Sequence, residues 1–253
     1  HNKAGLVCYI TAGDPDISCT KDIVYNLEKS GADIVELGIP FSDPMADGPT
    51  IQLASERALT GGTTLKDVIK TVAEIRKESQ IPIILFGYYN PFLSYGLEKF
   101  AEDASLAGAD GVLVVDLPPE ESGEFRDFLK KNGLDLIFLL APTSNSERIN
   151  LVAENGSGFV YLVSVTGVTG ARPYMNYSLE DLTAEIKERS NMPVGVGFGV
   201  SSPEQAFKIS SFSDAVIVGS AIIKIIENKK DKKDDMMHEL SEFVRDLSEA
   251  CYR

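Results

Sequence analysis

Histidine is nearly missing from this 253-residue chain: His1 heads it and His238 lies in a polar C-terminal stretch. Acid–base chemistry therefore has to come from carboxylates, hydroxyls, lysines or backbone groups. Cysteine is scarce too. Cys8, Cys19 and Cys251 are odd in number, scattered and in no CxxC spacing, which argues against a disulfide framework and a zinc site and fits a reducing cytoplasm. No apolar run reaches the roughly 18 residues that a membrane span needs, and no basic-then-apolar leader opens the chain. The expectation is an unexported protein of the cytoplasm, or of the plastid stroma if the source is a plant. Positive charge is also short. The 24 Lys and Arg stand against 38 Asp and Glu, leaving a formal net charge of −14. That field repels nucleic-acid phosphates and anionic membranes, so neither is expected as a partner. A phosphorylated ligand would need a local arrangement of backbone dipoles to hold it.

What the chain does have is a succession of eight short apolar runs: Leu6–Gly13, Asp33–Pro40, Ile81–Asn90, Gly111–Pro118, Leu134–Pro142, Phe159–Gly167, Pro193–Val200 and Ala215–Ala221. They are near-continuous in Val, Ile and Leu, as parallel strands covered on both faces must be. Segments of helical periodicity separate them, for example Val68, Val72 and Ile75, or Phe125, Phe128 and Leu129. Several end in glycine just before the next strand, at Gly31, Gly108 and Gly133, where a left-handed residue closes the last turn. Eight strand–helix units in about 250 residues predict one (β/α)8 TIM-barrel domain spanning residues 1–253. An open doubly wound sheet, the competing α/β architecture, usually has fewer strands. The charge run Glu227–Asp235 reads as a solvated turn before a last helix carrying Met237, Leu240, Phe243, Val244 and Leu247.

In such a barrel the active site forms at the C-terminal ends of the strands, and two carboxylates qualify. Glu36 interrupts the second run. If Val35 and Leu37 meet the helices, period-2 alternation turns Glu36 into the lumen. An apolar interior disfavours the charged carboxylate, which raises its pKa toward neutrality and lets it trade a proton. The competing reading is a carboxylate bonded to its barrel neighbours. Asp47 lies in the loop that follows, Phe41–Pro49, rich in Pro, Gly and Asp. Such a loop at the active end is a functional candidate, although Asp43 and Asp47 could equally cap turns or the helix beginning near Thr50.

Glycine clusters mark a second feature. Runs six, seven and eight end in Thr166–Ala171, Gly195–Gly199 and Val218–Ala221. At the ends of strands seven and eight, glycines let backbone N–H groups approach a phosphate, with a short helix N-terminus adding its dipole. The last units of the barrel therefore predict a phosphate-binding C-terminal face.

The stretch Glu36-Leu-Gly-Ile-Pro-Phe-Ser-Asp-Pro-Met-Ala-Asp-Gly-Pro-Thr-Ile-Gln52 resembles the signature of the tryptophan synthase alpha subunit family. Further matching motifs follow in order along almost the whole chain: Tyr9–Pro15, Tyr88–Pro91, Asp116–Pro118, Ala141–Thr143, Val168–Gly170, Gly197–Gly199 and Gly219-Ser220. Phe86-Gly87 departs from the Met-Thr or Met-Gly common in the family. The resemblance implies a carbon–carbon lyase of tryptophan biosynthesis, which cleaves indole-3-glycerol phosphate to indole and glyceraldehyde 3-phosphate by a retro-aldol reaction. It assigns Glu36 as the principal acid–base carboxylate and Asp47 as the group that stabilises charge developing at the indole nitrogen.

The resemblance also implies that Gly170, Gly199, Gly219 and Ser220 bind the phosphate. By the same resemblance Tyr161 and Phe198 lie near the substrate, and Tyr9, Phe86 and Leu113 line an indole pocket. Asp116 and Thr169 resemble the pair whose contact accompanies loop closure. Pro40, Asp43, Pro44, Asn90 and Pro91 resemble segments facing a beta subunit in an alpha2beta2 heterotetramer; simple turn formation is the other reading of the prolines. Neither metal nor cofactor is implied in this chain, and pyridoxal phosphate belongs to the beta partner. A stand-alone lyase and a non-catalytic activator of a beta subunit are the alternatives.

Overall fold

The runs of Val, Ile and Leu form eight parallel strands. In the computed structural model, which describes residues 3–163, 178–197 and 199–252, these are β1 Gly5–Thr11, β2 Ile34–Gly38, β3 Ile83–Gly87, β4 Gly111–Val114, β5 Asp135–Leu140, β6 Val160–Val163, β7 Val194–Gly197 and β8 Ala215–Val218. Each pairs with its neighbours in sequence, and β1 pairs with β8, so the sheet closes into a TIM barrel.

The helices are α1 Ile17–Lys29, α2 Pro49–Thr60, α3 Leu65–Ile75, α4 Tyr89–Tyr95, α5 Leu97–Ala107, α6 Gly123–Lys131, α7 Ser146–Asn155, α8 Leu179–Ser190, α9 Pro203–Ser210, α10 Ser220–Lys229 and α11 Lys233–Ala250. Strand–helix alternation holds, with two helices rather than one after β2, β3 and β8. The strands are also shorter than the apolar runs. The third run was expected to reach Asn90, but Tyr89 already begins α4, its N–H taken by the Asp116 carboxylate at 2.7 Å. Among the described residues, the run ends belong to the loops at the C-terminal face of the barrel.

Local chemistry explains the helix ends. Thr64 and Asp67 form a reciprocal capping box at the start of α3, which buries Val68, Val72 and Ile75. After α1, Gly31 takes φ +107°, a conformation that strains any side chain, and a Cβ there would lie 2.4 Å from Ser248 Oγ. The charge run at 227–235 spans the end of α10, a turn, and the start of α11, whose Leu240, Val244 and Leu247 are buried.

Two apolar layers result. Val35 and Leu37 belong to the large outer core between strands and helices. The lumen holds a separate cluster of Val7, Ile84, Leu113, Ile137, Tyr161 and Ile217. Glu36 stands in register between Tyr9 of β1 and Ile84 of β3, on the lumen face.

Candidate active site

Alternation along β2 leaves Glu36 nowhere to go but inward. It is fully buried, and among the described residues neither carboxyl oxygen has a hydrogen-bond partner. Among the described residues, the alternative of a carboxylate bonded to barrel neighbours finds no partner. Desolvation pushes its pKa from the ordinary 4.5 up to about 8, so near neutral pH Glu36 carries its proton.

Glu36 opens into a cavity of about 100 Å³ lined by Tyr9, Glu36, Asp47, Gly48, Ile51, Phe86, Tyr161, Gly199, Gly219 and Ser220. Aromatic rings form its apolar wall, with Tyr9 and Phe86 edge to face at 5.1 Å. Two strand glycines make room for the rings. A Cβ at Gly38 would stand 2.2 Å from the Tyr9 hydroxyl, and one at Gly197 would stand 2.7 Å from that of Tyr161. The Tyr9 hydroxyl in turn bonds Thr11 Oγ1 at 3.3 Å.

Asp47 reaches the same cavity from the loop after β2. The alternative that it caps the next helix is excluded, because Gly48 is the N-cap of α2 and no side chain bonds there. The loop is instead fixed through main-chain groups: the Asp47 N–H donates to Pro44 O at 3.0 Å, and Gln52 Nε2 donates to Asp47 O at 2.8 Å. The carboxyl stays available at the cavity beside the Tyr88 hydroxyl. Burial raises its pKa and Tyr88 lowers it, to a net value of about 6. At pH 7 the pair is thus poised as one proton-bearing and one ionised carboxyl group.

The opposite wall is main chain. Gly219 is the N-cap of α10 and Ser220 its first residue, with no side chain capping that terminus, so amide groups and the helix dipole face the cavity. Gly199 joins them with φ +83°. An anion fits this end, where the overall charge of −14 would otherwise repel it.

Of the residues expected at the site, Leu113 lies in the lumen cluster and is not among the cavity-lining residues. Gly170, Thr169 and Phe198 lie outside the described residues. Asp116 is exposed and caps α4 through Tyr89. Pro40 is buried in the chain by itself. Asp43 and Asn90 are exposed, Pro44 and Pro91 partly so, and Asp43 accepts a bond from Ser42 Oγ at 2.5 Å. Sequence reasoning overlooked Ile51, Gly48, Gly38 and Tyr88; a glycine inside a strand was the available signal for Gly38. Among the described residues, no group of three or more His, Cys, Asp or Glu could hold a metal ion, and no helix is long and apolar enough to cross a membrane.

The profile of the family described as tryptophan synthase alpha chain matches residues 1–252. The chain belongs to that family. It is 55% identical to the tryptophan synthase alpha chain of Geobacter sulfurreducens, over 99% of this chain and 94% of the relative. The alpha chain of Geotalea daltonii is also 55% identical, over 92% and 88%. Among solved structures, the alpha subunit of Legionella pneumophila superposes with a TM-score of 0.88 at 41% identity, covering 98% of this chain and 92% of that one. The structure from the Pyrococcus furiosus tryptophan synthase a2b2 complex gives 0.88 at 40% identity, covering 98% and 99%. The family reaction is the lyase cleavage of indole-3-glycerol phosphate in tryptophan biosynthesis, and this chain is an enzyme of that reaction.

Proposed function

We propose that Glu36 and Asp47 carry the proton transfers of that cleavage, with the amides around Gly199, Gly219 and Ser220 gripping the substrate phosphate. The carrying observation is the fully buried, unpartnered Glu36 beside a cavity whose other end is bare helix N-terminus. Gly170 belongs to the proposed cradle by its place in the sequence. The indole ring lies against Tyr9, Phe86 and Tyr161, with Phe198 nearby and Leu113 supporting from below.

Protonated Glu36 delivers its proton to C3 of the indole. That creates the indolenine cation, whose N–H donates to the Asp47 carboxylate. Glu36, now ionised, takes the proton of the hydroxyl on the adjoining side-chain carbon. The electrons of that O–H bond form the aldehyde C=O, and those of the C3-to-side-chain bond return to the ring. Indole and glyceraldehyde 3-phosphate leave, and Glu36 ends protonated as it began. The step needs no metal or cofactor from this chain.

We place Asp116 and Thr169 at closure of the loops over the cavity, which excludes water from the transfers. The reading extends to a single-domain chain working in the cytoplasm with a pyridoxal-phosphate beta subunit as alpha2beta2. Asp43, Pro44, Asn90 and Pro91, flanked by exposed Met45 and Leu93, form the facing surface.

The test is indole release from indole-3-glycerol phosphate by the purified chain. Glu36→Gln lowers it on the order of a thousandfold while inorganic phosphate still binds; undiminished release sinks the assignment. A beta subunit accelerates the parent chain, whereas a stand-alone lyase shows full turnover without one and a non-catalytic activator shows none in either condition.

A further inference from the structure

Tyr88 sits between β3 and α4, buried against the loop that carries Asp47. Its hydroxyl oxygen accepts a hydrogen bond from the Ala46 N–H at 3.0 Å, and its ring packs on Phe41 with centroids 5.3 Å apart. One side chain therefore grips the loop near both of its ends. With an oxygen lone pair committed to the Ala46 N–H, the phenolic proton remains to be donated, and Asp47, the next residue along the gripped loop, brings its carboxyl group to the same cavity. A phenylalanine would pack on Phe41 equally well. Burying a hydroxyl is costly unless it is used, so the oxygen marks a polar task. Tyr88 is itself anchored: the next residue, Tyr89, donates its N–H to Asp116 Oδ1 at 2.7 Å.

We infer that Tyr88 is a positioning residue for the cleavage: accepting from the Ala46 N–H and donating to the Asp47 carboxylate, it holds that carboxylate where the indole N–H arrives. The inference rests on the role of Asp47 stated under Proposed function. The groups facing Asp47 from the barrel are Tyr9 of β1, Glu36 of β2 and Tyr161 of β6, while Asp116 faces Tyr88 from the loop after β4. Among the described residues, all of these are acids or phenols. Burial pushes Asp47 up and the Tyr88 hydroxyl pulls it down, so the hydroxyl keeps the carboxylate ionised as well as oriented.

The experiment compares Tyr88→Phe with the parent in indole release by the full chain across pH. The expected result is a fall in kcat of about tenfold, as for loss of a hydrogen bond to a charged group, little change in KM, and an acid limb displaced to higher pH. Tyr25→Phe is the control. It removes phenol-to-carbonyl bonds between α1 and α3, 3.4 Å to Glu74 O and 3.3 Å to Ile75 O, and lowers stability without moving kcat or the limb. If Tyr88→Phe behaves like Tyr25→Phe, the inference is overturned. Should Tyr88→Phe not fold, 3-fluorotyrosine at position 88 keeps the ring and strengthens the donor; the limb then moves to lower pH, and a stationary limb overturns the inference. Asp47→Asn separates the two claims: if it spares cleavage the role of Asp47 is wrong, whereas if it abolishes cleavage and Tyr88→Phe changes nothing, only the positioning role falls.

Discussion

Asp14 and Glu36 are both carboxylates buried at the cavity end of neighbouring strands, and their surroundings set them apart. Asp14, in the loop after β1, is clasped by Arg57 Nε and Nη2, each at 2.8 Å, and Arg57 also reaches Glu227 at 3.0 Å. Burial raises its pKa, while the Arg57 hydrogen bonds and charge oppose the rise. Among the described residues Glu36 meets no cation and no donor, so burial alone acts and carries it to about 8. The contrast teaches that burial by itself stores a proton, whereas burial against a guanidinium makes a clasp. Here the clasp joins the β1 loop to α2 and α10, the helices that begin at the Asp47 loop and at the Gly219 end of the cavity.

Breaking the clasp gives a large expected change in stability. Arg57→Met strands the Asp14 charge and costs about 3 kcal/mol, read as a lowered urea midpoint. Adding Asp14→Asn to the same chain recovers much of the loss. If Arg57→Met is neutral, the contrast between the two carboxylates is wrong.

Next comes the pH profile of kcat/KM for the parent enzyme. The proposed roles need Asp47 ionised and Glu36 protonated, so activity is expected to peak between about 6 and about 8 and to fall by about tenfold per pH unit outside that window. The substrate phosphate titrates near the lower limb, which is why displacement of that limb in Tyr88→Phe, rather than its position alone, ties it to Asp47. A flat profile up to pH 10 would contradict the stored proton.

The last contrast concerns Glu36 and stability. At pH 5 the group is protonated in the folded chain, and Glu36→Gln changes stability by less than about 1 kcal/mol. Between 4.5 and about 8 the unfolded chain has released the proton and the folded chain keeps it, so the parent loses stability as pH rises through this window. The variant escapes that loss and overtakes the parent toward pH 8. Parallel stability curves for the two chains would mean that Glu36 is solvated or paired.

Much of this arrangement was legible in the residues. The eight Val, Ile and Leu runs and their periodic spacers prescribe a parallel barrel, because a strand covered on both faces has no polar side to show. Alternation around Val35, Glu36 and Leu37 turned the carboxylate inward, since the period of a strand is two whatever its partners. The shortened strands were not legible. An apolar residue at a strand end packs equally well as ladder or as cavity cover, and only the neighbouring loops distinguish Tyr88 and Tyr89 from further strand. That Leu113 stands in the lumen but not at the cavity was not legible either, because alternation gives the face of a strand and not the depth at which its neighbour's loop begins.

Composition, alternation and the Glu36–Gln52 stretch thus determined the fold, the inward carboxylate and the family, all consequences of local periodicity and of contiguous motif. What stands opposite each carboxylate was decided by tertiary structure alone. Arg57 lies 43 residues from Asp14, and Tyr88 lies 41 residues from Asp47. Whether a buried acid meets a guanidinium, a phenol or nothing depends on which loops the closed barrel brings to one end, and that closure in turn sets which acid keeps its proton.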